Sequence, residues 1–178
     1  SESASVELGI AEDSWIALLN KTPDLEKIGL SRGSGNILIA DDDPIFTRSC
    51  RSLLEKMGYV VQVASTAQEA LQVQEEHPCD LVLLDASLPQ VTGIYMLRAL
   101  RQRNNPEIIV LADYNALETA TQATRFGANS YLPKPFEAHQ LLAQVDQALI
   151  YKRDPLIVYI RTHSDKIQTR EEVVDRFS

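Results

Sequence analysis

The stretch Ile37–Pro44 reads ILIADDDP: four apolar residues run directly into three carboxylates, Asp41, Asp42 and Asp43. The same device returns twice. Leu81-Val82-Leu83-Leu84 ends on Asp85, and Tyr131-Leu132-Pro133 ends on Lys134-Pro135. Short, continuous apolar runs suit strands covered on both faces, which is how parallel sheets are built. In an open parallel sheet the carboxyl ends of the strands face one edge, so residues far apart in the chain converge there. The expected pocket is acidic and contains a single lysine.

On either side of these runs, strand and helix patterns alternate. Pro44 suits the first position of a helix after Asp43, and Cys50, Leu53, Leu54 and Met57 follow at helical spacing until Gly58 ends it. Tyr59–Val63 reads as a strand, and Ala67, Ala70 and Leu71 mark the next helix. A helix over about 93–103 precedes a buried strand at 108–111. A helix over about 116–126 stops at Gly127, and a strand at 130–132 leads into a long helix through Leu141, Leu142, Val145, Ala148 and Leu149. Five strands alternating with five helices predict a doubly wound α/β fold on a five-stranded parallel sheet.

Carboxylates held together either take up protons or recruit a cation. A hard divalent ion with oxygen ligands fits best. Magnesium takes one or two carboxylates directly and keeps positions for water and phosphate oxygens. Such a site suits phosphoryl chemistry: a carboxylate such as Asp85 can be the nucleophile that forms an acyl phosphate. The metal and Lys134 would then offset charge on the phosphoryl oxygens.

At these residues the chain resembles a known family. ILIADDDP resembles the opening of the receiver (CheY-like) domain of bacterial two-component response regulators. DLVLLDASLPQVTG, residues 80–93, fits the family's pattern of a phosphorylated aspartate, a Leu-Pro pair and a glycine. YLPKPF, residues 131–136, is similar to its last motif. Together the motifs cover about residues 36–150, and the resemblance implies a flavodoxin-like (βα)5 receiver.

The resemblance also implies roles. Asp85 would be the phosphoacceptor. Asp42 would bind Mg2+ directly, Asp41 mainly through water, Asp85 with its carboxylate and Ser87 through its backbone carbonyl. Lys134 would contact the phosphoryl group, and the Lys134-Pro135 bond would be cis, an isomer proline makes accessible. Tyr131 would be the aromatic whose rotamer reports phosphorylation. Asp43 falls on a variable position and is expected to cap the following helix. The chain departs from the family at the end of the strand before Asp113. There the family carries a threonine or serine hydroxyl that binds the phosphoryl group; this chain has Ala112, or Leu111 in an alignment that needs a one-residue insertion, and neither has a hydroxyl. The expectation is a receiver that accepts phosphate with altered switching.

The chain has 178 residues, 44% of them apolar, enough for one full domain with additions. Its net charge of −8 is unevenly spread: residues 1–35 carry net −3, residues 36–150 net −6 and residues 151–178 net +1. An acidic body argues against direct nucleic-acid binding by the main domain. Cys50 and Cys79 sit in apolar settings without metal-ligand spacing and read as buried thiols rather than a disulfide, which suggests a reducing cytoplasm. No apolar stretch approaches a membrane span. The start SESASVELG lacks a basic region leading into an apolar one, so a cytoplasmic protein with no membrane association is expected. His77, His139 and His163 lie in polar stretches and read as surface residues.

Residues 1–35 read as a helical extension, with Trp15, Ile16, Leu18 and Leu19 in its apolar part, and a flexible link over 31–35. In residues 151–178, Thr169-Arg170-Glu171-Glu172 forms a capping box. This segment resembles the first two helices of an AraC-type helix-turn-helix unit. The chain ends where the recognition helix would follow, so DNA contact is expected only through a C-terminal module incomplete here. A generic helical extension is the competing reading of the tail.

The resulting expectation is a switch that takes phosphate from a sensor histidine kinase or a phosphotransfer protein, dimerises through its receiver and controls transcription. Two rivals remain. One is a phosphate-independent receiver used as a protein-docking or dimerisation module. The other is a phosphatase of the haloacid dehalogenase type, which wants Asp-x-Asp-x followed by Thr or Val; here that position is Ile45.

Overall fold

The computed structural model describes residues 15–20, 33–88, 93–113, 118 and 127–153. Their elements are α1 (Ile16–Leu19), β1 (Asn36–Ala40), α2 (Pro44–Lys56), β2 (Val60–Ala64), α3 (Ala67–Glu76), β3 (Leu81–Asp85), α4 (Gly93–Arg101), β4 (Glu107–Ala112), β5 (Ser130–Pro133) and α5 (Ala138–Arg153). Apart from residue 118, the helix expected over 116–126 lies outside the described residues, as do the helices expected in the tail after residue 153 and most of residues 1–32.

All strand pairings are parallel, in the order β2-β1-β3-β4-β5. This is the doubly wound arrangement in which the strand order reverses between β1 and β3, and ligands of such sheets bind at that crevice. The alternation of strand side chains explains the continuous apolar runs. Ile37, Ile39, Leu81, Leu83, Ile109 and Leu111 face a core shared with α2 and α5. Leu38, Ala40, Val82, Leu84, Ile108 and Val110 face the opposite core, with α3 and α4.

The turns follow their local chemistry. Asp43 caps α2, its side chain accepting from the Ile45 and Phe46 amides at 2.9 and 3.2 Å, with Pro44 at the first helical position. After α2, Gly58 takes φ +102°, a left-handed conformation that stops the helix. Thr66 caps α3 through the Glu69 amide, while the Glu69 carboxylate accepts from the Ser65 amide and hydroxyl. Fully buried Gln74 sutures the loop before β3: its amide nitrogen donates to the Cys79 and Arg103 carbonyls, and its oxygen accepts from the Cys79 amide. That leaves no polar atom of the Gln74 amide unpaired, as burial demands.

Both cysteines are free and buried. Within the expected link, Gly33 is anchored, its amide donating to the Met57 carbonyl at 3.0 Å beside the Tyr59 ring. Among the described residues, no helix is long and apolar enough to cross a membrane.

Candidate functional site

Each arm of the site is held by an extension of the sheet's hydrogen-bond ladder. The Asp41 amide donates to the Ala64 carbonyl at 3.0 Å, the Ala86 amide to the Leu111 carbonyl at 2.8 Å and the Lys134 amide to the Ala112 carbonyl at 2.7 Å. The backbone that follows β1, β3 and β5 is therefore as fixed as the strands, and the side chains leave it at one edge.

They meet. Asp41, Asp42 and Asp85 each place a carboxylate oxygen within 4.8 Å of the others. Asp41 and Asp85 are buried and Asp42 is exposed, so the cluster opens to solvent on one side. Lys134, 93 residues further on, sets its Nζ 2.8 Å from Asp41 Oδ2. The side chains of this pair are 10% and 0% exposed. The ammonium also stands 4.4 Å from the centroid of the Phe46 ring. The Ser87 amide donates to Asp85 Oδ1 at 3.0 Å, and the Asp43 amide to Asp41 Oδ1 at 2.9 Å. These bonds aim the two buried carboxylates without using all their lone pairs.

Electrostatics follow from this geometry. Burial pushes Asp85 up to about 6; Lys134 pulls it down, Asp41 and Asp42 push it further up, and the Ser87 amide favours its charged form. Asp41 is also raised, burial outweighing the attraction of Lys134. Burial disfavours the Lys134 charge, but Asp41 and Asp85 more than compensate, and its pKa is raised. The pocket thus carries more negative charge than its one ammonium balances. Three convergent carboxylates, one of them open to solvent, fit a hard cation with oxygen ligands.

The other expected residues are placed as follows. Lys134-Pro135 is a cis peptide bond. Ser87 is exposed beside the cluster. Ala112 is fully buried at the end of β4, opposite Pro133 in register, and Tyr131 stands on edge strand β5 with 37% of its surface exposed. Asp43 is committed to its cap, which removes it from the role that a haloacid dehalogenase reading would need.

The aromatic wall was not legible in the sequence. Phe46 lies under Lys134, and Trp15 and Phe136 pack against Phe46. Apolar periodicity marks Phe46 as a core residue, and nothing in the local pattern announces that its ring faces an ammonium.

Comparisons with known proteins agree with this geometry. Residues 37–146 match the family model of the response regulator receiver domain. The transcriptional regulatory protein KdpE of Mycobacterium tuberculosis is 38% identical over 113 residues, which are 64% of this chain and 50% of KdpE. The chain spans about half the length of the curated relatives it matches. A CheY-like receiver domain protein from Methanospirillum hungatei JF-1 superposes with a TM-score of 0.61 at 32% identity, covering 67% of this chain and 97% of that one. The receiver domain of a sensor histidine kinase from Pseudomonas aeruginosa PAO1, crystallised with a magnesium ion in its active-site cleft, superposes at 0.58 with 25% identity, over 66% of this chain and 98% of that one. With the 2-1-3-4-5 sheet, the acid cluster at its crevice and a family match over well more than half of its length, this chain belongs to the response regulator receiver domain family.

Proposed function

We propose that this chain is the phosphoacceptor receiver of a two-component response regulator. Asp85 takes the phosphoryl group from a phosphohistidine on a sensor kinase or phosphotransfer protein and, through a receiver dimer, controls transcription. The observation that carries the reading is the meeting of Asp41, Asp42, Asp85 and Lys134 at the carboxyl ends of β1, β3 and β5. KdpE is a transcriptional regulatory protein, which supports the output. The likeness of 151–178 to an AraC-type unit is the support for the kind of DNA-binding module attached. A cytoplasmic location fits a partner kinase's phosphohistidine and two free thiols.

An Asp85 carboxylate oxygen attacks phosphorus, forming a P–O bond as the donor's P–N bond breaks; that electron pair stays on the imidazole nitrogen, which takes up a proton. Hydrolysis by water later returns the carboxylate and inorganic phosphate. Asp42, Asp85 and the Ser87 carbonyl would hold Mg2+, with Asp41 reaching it through water. The magnesium found in the Pseudomonas receiver's cleft supports this assignment. When bound, the ion offsets charge on the phosphoryl oxygens. Lys134 must exchange Asp41 for a phosphoryl oxygen, a short swing because its amide stays tied to Ala112. The chain's own chemistry in this reading is self-phosphorylation and autodephosphorylation alone.

Ala112 favours a second reading. With no hydroxyl at the end of β4, the phosphoryl group has one fewer hydrogen bond through which to draw Tyr131 inward, so the receiver would serve as a phosphate-independent docking module. Incubation with acetyl phosphate and magnesium followed by intact-mass measurement tests the main reading. One added phosphate on the chain and none on Asp85→Asn is expected. An unmodified wild-type chain, or an Asp85→Asn chain labelled equally, would refute it.

A further inference from the structure

One element outside the family-matched residues 37–146 reaches the site. Helix α1 brings Trp15, Ile16 and Leu19, all buried, into the core shared with α2 and α5. The Trp15 ring meets Phe136 edge-on at 5.1 Å between centroids and Phe46 at 5.8 Å, and Phe46 meets Phe136 at 6.0 Å, so the three rings form a closed triangle. Two of its corners belong to the lysine arm. Phe46 lies 4.4 Å from Lys134 Nζ, and Phe136 follows Lys134 by two residues.

We propose that Trp15 is a positioning residue for Lys134: the segment preceding the receiver acts on phosphoryl transfer by locking the ring on which the ammonium rests. The inference builds on Asp85 as phosphoacceptor. Lysine is a flexible stem that must lose rotamer freedom to be useful at a fixed point. An ammonium over an aromatic face is attracted by the ring's quadrupole, more strongly when shielded from water, and Lys134 is 10% exposed. That attraction has direction only while the ring is fixed. Phe46 is 1% exposed, with Trp15 and Phe136 packed against it, so truncating Trp15 opens a cavity into which Phe46 can turn. The ammonium then loses its floor while its backbone stays bonded to β4. The receiver body alone lacks this support, so any event that lifts residues 15–19 from α2 would slow phosphorylation.

The test uses the full chain with Trp15→Ala and Trp15→Phe, each with Lys134 present and with Lys134→Ala. The rate of acyl phosphate formation from acetyl phosphate and magnesium is followed by intact mass. Trp15→Ala is expected to slow it roughly five- to thirty-fold, the span of a shielded cation–π contact. Trp15→Phe should restore most of the rate, and in the Lys134→Ala background Trp15→Ala should change it less than twofold. A metal-free readout stands beside it. With Nζ 4.4 Å from the Phe46 ring centroid, the ε-methylene NMR signal of Lys134 is expected to be displaced by the ring current in wild type, to move toward the ordinary lysine position in Trp15→Ala and to stay displaced in Trp15→Phe. Equal slowing in both backgrounds, or an unmoved Lys134 signal in Trp15→Ala, overturns the proposal. Should Trp15→Ala fail to fold, Trp15→Leu takes its place with the same expectations. A wild-type chain that takes up no phosphate defeats the functional reading instead, and the NMR comparison still decides the positioning role.

Discussion

Replacing Asp85 with Asn should stabilise the metal-free protein. Asp85 is 4% exposed, and its carboxyl is raised from 3.8 to about 6 because burial outweighs the help of Lys134. A folded-state pKa above the unfolded value means that the native protein binds more protons than the unfolded chain between about pH 4 and pH 6. Stability therefore falls as pH rises through that window and stays level above it. Two pKa units correspond to about 3 kcal/mol. Asn keeps an oxygen to accept from the Ser87 amide, so the variant should escape most of this cost, gaining about 2–3 kcal/mol above pH 7 and almost nothing at pH 4. Urea unfolding in the presence of a chelator, repeated from pH 4 to pH 8, measures it. Magnesium should narrow the gap, because a cation that binds the folded wild type stabilises it by mass action while the variant offers a weaker site. An Asn variant no more stable than wild type at pH 7.5, or one whose advantage persists undiminished at pH 4, would mean that burial of the Asp85 charge carries no such cost.

Other perturbations probe separate parts of the structure. Ala112→Thr supplies the hydroxyl that the strand end lacks; a hydrogen bond to a charged group suggests that dimerisation with beryllofluoride should occur at roughly tenfold lower protein concentration, and identical titrations would count against it. Gly33→Ala drives a Cβ into the buried Tyr59 ring and should cost about 1–3 kcal/mol in urea unfolding, whereas a free linker would tolerate it without loss. Burial pushes the Cys50 thiol up to about 12 and the Cys79 thiol up to about 11, so neither should react with Ellman's reagent in the native state and both should react in denaturant.

Much of the fold was legible because it is local chemistry. The β1, β3 and β4 runs announce buried strands by length and composition, and α2 declares its start through Asp43 and Pro44 and its stop through Gly58. Strand limits moved by a residue: the stretch expected at Tyr59–Val63 forms as Val60–Ala64, since Tyr59 turns into the core beside Gly33. The anchoring of Gly33 itself was not visible, because a Gly-Ser-rich string reads as flexible wherever its neighbours are unknown.

The amino-acid pattern alone was enough to gather carboxylates and one lysine at the carboxyl edge of a parallel sheet, because apolar runs separated by helical spacers imply parallel strands whose carboxyl ends share one edge; the order of those strands came from the fold. How that charge is shared emerged from the packed fold: Lys134 bonds to Asp41, stands over Phe46 and leaves Asp85 the more weakly compensated acid. The fold also decided that Trp15, from outside the matched domain, closes the wall behind the lysine. Periodicity records which face of an element is buried, not which distant ring or ion it is buried against, and contacts spanning 93 residues leave no mark on the residues between them.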